Sequence, residues 1–232
     1  MRLMLGGVLC AVLVTTPVVA AEKQELKTQK DKISYVVGLE MGSSLKKNMI
    51  DVDIEILVKG IKDALSEAKP LMTEQDMKET IVALQKDLQA KQQEQMKALG
   101  EKNKKEGEAF LAENKKKQGV ITMPSGLQYK ILADGKGRSP KATDTVIVKY
   151  KGTLVDGTEF DSSYKRGEAA TLPVGSGMIK GWTEALQLMK EGSKWQMFIP
   201  SNLAYGERGA GGAIGPNAVL IFEVELITIK KQ

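Results

Sequence analysis

The chain has 232 residues, long enough for one large domain or two modest ones, and with 42% of them hydrophobic a bulk core needs no covalent staple. Its net charge is +5, from 34 basic and 29 acidic residues, a surplus too small to argue for nucleic acid or anionic lipid as a partner. It has no histidine and a single cysteine, Cys10, which excludes histidine acid–base catalysis, Ser-His and Cys-His nucleophile pairs and histidine metal sites.

Residues 1–21 carry the pattern of an export signal. Met1-Arg2 is a minimal positive start, residues 3–14 are apolar, and Val18-Val19-Ala20-Ala21 offers small residues for cleavage after Ala20 or Ala21. Two alternatives stay open. The run is marginal as a membrane anchor, since Thr15, Thr16 and Pro17 interrupt it short of the roughly 20 residues a span requires. Cys10 as a lipidation site follows Leu9 rather than a small residue. Cleavage removes the only thiol, and with it any disulfide, thiolate nucleophile or cysteine metal ligand; no metal and no cofactor are expected.

Residues 22–70 read as helical. Ile33, Val37, Met41 and Leu45 recur every four residues, and Asp53 can cap a second helix carrying Ile54, Leu57, Val58, Ile61 and Leu65 before Pro70. Two short amphipathic helices cannot enclose a core, so each apolar stripe needs a partner. That partner is the C-terminal domain or the same segment of a second chain. The symmetric dimer is preferred, because residues 71–118 should hold the two ends of the chain apart.

That connecting segment starts at Thr73-Glu74-Gln75-Asp76, which has the form of a capping box. Met77, Ile81, Leu84 and Leu88 continue a stripe, after which the sequence becomes polar almost all round. Gly100 and Gly107 are the strongest breakers, each costing about 1 kcal/mol relative to Ala. A helix running from 73 to about 117, ended by Gly119, would be roughly 65 Å long. Its polar second half predicts a solvent-bridging stalk, with Lys115 to Lys117 a solvated helix end.

Beyond Gly119 the period changes from 3.6 to 2. Residues 127–131 alternate, and residues 145–154 form the main strand, with Val146, Val148 and Tyr150 on one face and a tight turn at Asp156-Gly157. Residues 181–189 make one short helix closed by Gly192. Residues 194–199 place Trp195, Met197 and Ile199 together, and residues 219–227 place Leu220, Phe222, Val224 and Leu226 inward. The expected class is α+β: a C-terminal antiparallel sheet wrapped on one short helix in residues 119–232, preceded by helices.

These segments carry a resemblance. Val148-Lys-Tyr150-Lys-Gly152, Asp156-Gly157-Thr-Glu-Phe160-Asp161-Ser-Ser163, Ile179-Lys-Gly181-Trp182, Leu203-Ala-Tyr205-Gly206 and Leu220-Ile-Phe222-Glu-Val-Glu-Leu226 together resemble the FKBP family of peptidyl-prolyl cis–trans isomerases. With the signal and helical segments in front, the layout is similar to the macrophage-infectivity-potentiator type. The resemblance implies a homodimer joined through residues 22–70, exported to the periplasm or outer-membrane surface of a Gram-negative bacterium. Proline-containing polypeptides are the implied partners, with macrolides as possible inhibitors and no nucleic acid.

The implied site has Tyr150, Phe160, Asp161 and Tyr205 as catalytic residues and Met178, Ile179, Trp182, Ile214 and Phe222 as substrate-binding ones. Trp182 is the implied floor under the proline ring, Ile179 supplies a backbone N–H, Tyr205 donates its hydroxyl, and Asp161 orients Tyr150. Read from residue types alone, the aromatic and aliphatic members could be plain core, and Asp161-Ser162-Ser163 a turn or cap. The run from Gly206 to Pro216 lacks the Gly-Lys-Ser/Thr of a phosphate loop and reads as a flap tipped by Ile214.

Departures from the family pattern are Ala170 and Leu172 where aromatics are frequent, Ala210 in the region of a common histidine, and Leu203 for a frequent tyrosine. They widen the cup, and they bear on macrolide affinity more than on catalysis. The competing functions are a holdase chaperone, whose helical arms bind unfolded clients, and a basic adhesion module.

Overall fold

The structure, a computed structural model, describes residues 25–230. The signal segment and Cys10 therefore lie outside the described residues. The chain divides into two compact units, one ending at Met72 and the other starting at Thr73.

The first unit contains helices α1 (Gln29–Lys47) and α2 (Ile54–Leu65). Thr28 opens α1 with a reciprocal capping box to Asp31. Asp53 caps α2 by accepting the N–H groups of Glu55 and Ile56. Both caps satisfy backbone donors that the first helical turn leaves without intrahelical acceptors. No residue of either helix is buried, and Ile33, Val37, Ile54 and Leu65 are all more than half exposed.

The second unit starts with α3 (Glu74–Asn114), 41 residues long and about 60 Å from end to end. Its capping box is the one read from the sequence: the Thr73 side chain accepts from Asp76 N–H, and the Thr73 N–H donates to the Asp76 carboxylate. The helix ends at Asn114, earlier than expected, and Gly119 serves the following turn at φ +81°.

The reading of its second half as a solvent-bridging stalk does not hold. From Gly100 to Asn114 the helix is packed on the C-terminal sheet and on the connection that precedes β7. Gly100, Gly107 and Asn114 are buried. At Gly107 the reason for glycine is close approach, because a Cβ would stand 2.6 Å from Val219 Cγ2. Phe110 meets Phe198 at a ring separation of 5.9 Å. Asn114 donates to the side chain of Gln128, which in turn donates to the Leu111 carbonyl. A polar helix docks here through glycines and paired amides, so hydrophobic periodicity could not reveal the contact. Gly107→Leu should lower the unfolding free energy by about 1–3 kcal/mol through overpacking, read from the urea midpoint at unchanged slope.

The rest of the unit is a seven-stranded sheet. Its strands are β1 (Val120–Thr122), β2 (Gln128–Ala133), β3 (Thr145–Leu154), β4 (Glu159–Ser162), β5 (Ala170–Pro173), β6 (Lys194–Ile199) and β7 (Leu220–Lys230). All pairs are antiparallel in the order β1-β2-β6-β7-β3-β4, and β5 also pairs with β3. The main strand and the 194–199 strand lie where the alternation put them. The α+β arrangement, with helices first and an antiparallel sheet after, is the one expected.

Helix α5 (Lys180–Leu188) lies across one face, burying Trp182, Ala185 and Leu186. It ends at Leu188 with Met189 extended, and Gly192 makes the next turn rather than closing the helix. Alternation along β6 predicts only Trp195, Met197 and Ile199 inside, yet Phe198 is also buried because α3 covers the other face.

Candidate active site

Two strands share the outer edge of β3. β5 pairs with residues 145–148 and β4 with residues 151–153, leaving the backbone of Tyr150 between them without a strand partner on that side. A short helix, α4 (Ser163–Arg166), fills the gap. The Ser163 hydroxyl accepts from Tyr150 N–H at 2.8 Å and donates to the Tyr150 carbonyl at 3.2 Å, replacing the missing ladder bonds. The Ser162 side chain caps α4. Here the turn-or-cap reading of Ser162-Ser163 and a place in the site are compatible.

This edge is one wall of a cavity of about 650 Å³. Tyr150 comes from β3, Phe160 and Asp161 from β4, and Phe222 from β7. Met178 and Ile179 lead into α5, with Ile179 at its N-cap and Trp182 in its first turn. Tyr205 and Ile214 come from the long connection before β7. All nine residues singled out from the sequence border this one hollow.

The floor is an aromatic cluster. Trp182 meets Phe222 and Tyr150 edge-on, each at 5.2 Å, and Phe160 meets Phe222 edge-on at 5.5 Å. Such edge-to-face pairs add about 0.5–1.5 kcal/mol each beyond their burial. Gly152 permits this, because a Cβ there would stand 2.7 Å from both the Phe160 and Phe222 rings. Tyr150, Trp182 and Phe222 are nearly closed to solvent.

Against this apolar floor stands one ordered polar group. The Tyr150 hydroxyl donates to Asp161 Oδ2 at 2.6 Å and accepts from Arg166 Nη2 at 2.8 Å. Arg166 also donates to Asp161 Oδ1, and its guanidinium lies 5.3 Å from the Tyr150 ring centroid. Burial pushes the Asp161 carboxyl up, but the bonds from Tyr150 and Arg166 outweigh it and hold the group below its ordinary value of 3.8. Burial, followed by the neighbouring carboxylate, raises the Tyr150 hydroxyl above 10.0.

The chain that builds this hollow has relatives among known proteins. The profile described as the FKBP-type peptidyl-prolyl cis-trans isomerase matches residues 136–227. The domain amino-terminal to FKBP-type isomerases matches residues 30–131. "Outer membrane protein MIP" of Legionella longbeachae is 48% identical over 217 residues, spanning 94% of this chain and 93% of that protein. The chain belongs to the FKBP-type peptidyl-prolyl cis-trans isomerase family. "Peptidyl-prolyl cis-trans isomerase Mip" of Coxiella burnetii is 45% identical over 207 residues, spanning 89% of this chain and 90% of that one. The crystal structure of FkpA from Escherichia coli superposes with a TM-score of 0.72 at 37% identity, covering 89% of this chain and 99% of that chain.

Arg166, which bonds both Tyr150 and Asp161 at this cavity, is absent from the residues singled out in the sequence. Its signal was local: Ser162 as an N-cap starts a single turn of helix that brings position 166 back beside Asp161. Leu172 and Ala210, noted from the sequence only as departures, also border the cavity.

The pH behaviour follows from these groups. Because the Asp161 value is depressed on folding, its ties are complete above the unfolded value of about 3.9 and are lost as pH falls through the lower folded one. Tyr150 stays protonated beyond about pH 10. With no histidine in the chain, kcat/KM for a non-titrating Xaa-Pro peptide should be flat from about pH 5 to about pH 9. A step or bell within that window would show that another group governs the reaction.

Proposed function

We propose that the chain speeds cis–trans rotation about Xaa-Pro bonds of exported polypeptides without any covalent step. The unaided rotation faces a barrier of about 20 kcal/mol and takes tens of seconds or more. In the twisted transition state the amide loses resonance, and with it much of its charge separation. A dry apolar cavity favours that less dipolar form over the planar ground state, which is differential binding of the transition state. The observation that carries this reading is the shared hollow: Tyr150, Phe160, Trp182 and Phe222 wall it, and Asp161 is the one carboxylate bordering it among the described residues.

In this reading the proline ring rests on Trp182. Ile179 stands at the N-cap of α5, where helix geometry leaves an N–H free of intrahelical acceptors, and that N–H meets a substrate carbonyl. Tyr205, 44% exposed, offers its hydroxyl to a second carbonyl. Asp161, held by Tyr150 and Arg166, meets the carbonyl carbon as the bond twists. A macrolide filling the same hollow would compete with substrate.

The exposed stripes of α1 and α2 support a homodimer through residues 22–70, where a second copy buries what one chain leaves open. The sequence pattern of residues 1–21 and the name of the Legionella relative, an outer membrane protein, support export to the periplasm or outer-membrane surface of a Gram-negative bacterium. A coupled isomerisation assay on a short Xaa-Pro peptide, with the mass in solution recorded alongside, tests both parts. Acceleration and the mass of two chains are expected. No acceleration would sink the catalytic reading, and a single-chain mass the dimer.

A further inference from the structure

Tyr205 and Ile214 both border the cavity, and the chain between and just beyond them forms a closed loop. Its neck is the bond from Asn217 N–H to the Gly206 carbonyl at 2.8 Å. Within it Ala210 and Ile214 exchange two backbone hydrogen bonds, while Gly209, Gly211 and Gly212 all take positive φ. Ile214, 8% exposed, is the apolar tip over the cavity. A loop this rich in glycine has much backbone freedom to lose, and something must hold it in place.

The neck sits on α3. Asn103 Nδ2 donates to the Pro216 carbonyl at 2.8 Å, and Asn217 Nδ2 donates to the Gly100 carbonyl at 3.3 Å. The approach is close: a Cβ on Gly100 would stand 3.1 Å from Pro216 Cβ. A Cβ on Gly215 would stand 3.0 Å from Asn103 Nδ2 and 3.1 Å from Leu99 Cδ2. Asn217 itself has φ +55°, a conformation asparagine tolerates better than most residues. Neither Asn103 nor Gly100 borders the cavity.

We infer that Asn103 is a positioning residue for the isomerase site: by donating to Pro216 it seats the 206–217 loop on α3, which holds Ile214 over the substrate. The inference rests on the isomerase reading of the cavity. A loop already ordered by a rigid helix need not be ordered by the substrate, so the contact lowers the cost of binding rather than the barrier to rotation. Loss of the contact should therefore be felt in KM.

The test follows isomerisation of a short Xaa-Pro peptide by the full chain. Asn103→Ala, Asn103→Asp and Gly100→Ala are compared with Lys104→Ala, an exposed position on the same helix. Asn103→Ala should raise KM about fivefold with kcat within about twofold, the size expected for one lost neutral hydrogen bond. Asn103→Asp fills the same space but sets a carboxylate against the Pro216 carbonyl, and should raise KM at least as much. Gly100→Ala should also raise KM, although alanine favours the helix, because its methyl pushes on Pro216. Lys104→Ala should leave both constants unchanged.

Amide exchange gives a second readout. In Asn103→Ala the Ile214 N–H should exchange faster while the Val224 N–H, in the core strand, does not change. A wild-type KM in Asn103→Ala or Asn103→Asp would overturn the inference, as would loss of protection at both amides. An inactive wild-type chain would instead sink the isomerase reading beneath it.

Discussion

Asp161→Ala and Phe160→Ala should each lower kcat/KM for an Xaa-Pro peptide about tenfold or more, equivalent to about 1.4 kcal/mol of transition-state stabilisation. The two act for different reasons. Phe160 closes the side of the hollow against Phe222, and its loss admits water to a place where dryness favours the twisted amide. Asp161 fixes the Tyr150 hydroxyl and, with it, the Arg166 guanidinium. Removing it leaves the Tyr150 hydroxyl half-paired and the Arg166 cation without its carboxylate. Neither side chain belongs to the fully buried core, so both variants should stay folded, although Phe160→Ala gives up an edge-on contact with Phe222 and should lower the urea midpoint by the equivalent of about 1 kcal/mol or more. Asp161→Asn keeps the shape without the charge and should lie between Ala and wild type. Wild-type rates in both alanine variants, with the fold intact, would place the chemistry elsewhere.

Trp182→Ala should cost about 3–5 kcal/mol of stability and most of the activity together. The indole is 4% exposed and touches both Tyr150 and Phe222 edge-on. Its removal opens a cavity that α5 cannot collapse into, because Gly181 already lies against Ile199, where a Cβ would stand 2.5 Å from Cγ2. Trp195, stacked on Tyr129 at 4.1 Å, stays as the fluorescence probe of unfolding. Trp182→Phe retains a floor and should recover part of both losses. A stability change below about 1 kcal/mol for Trp182→Ala would mean the indole is not packed as described.

Much of this architecture is legible in the sequence. Thr73 and Asp53 are recognisable as helix caps because their side chains satisfy donors only a few residues away. Strand β3 is readable because one buried face imposes alternation, and β6 follows it as far as Met197, beyond which α3 buries Phe198 on the other face. The nine site residues named in the sequence rest on resemblance to a family, since they come from five separate parts of the chain. Arg166 was missed because its role depends on one turn of helix, α4, that has no hydrophobic period of its own.

Local chemistry, acting within a few residues, was therefore enough to determine the caps, the strand faces and the order of helices before sheet. The seating of α3 on the sheet was decided only in three dimensions. Gly100, Asn103, Gly107 and Asn114 are poor helix formers or polar side chains in an exposed-looking run, and each is explained by a partner more than ten positions away. Close approach and amide pairing depend on where two backbones meet, and no one-dimensional pattern of polarity records that.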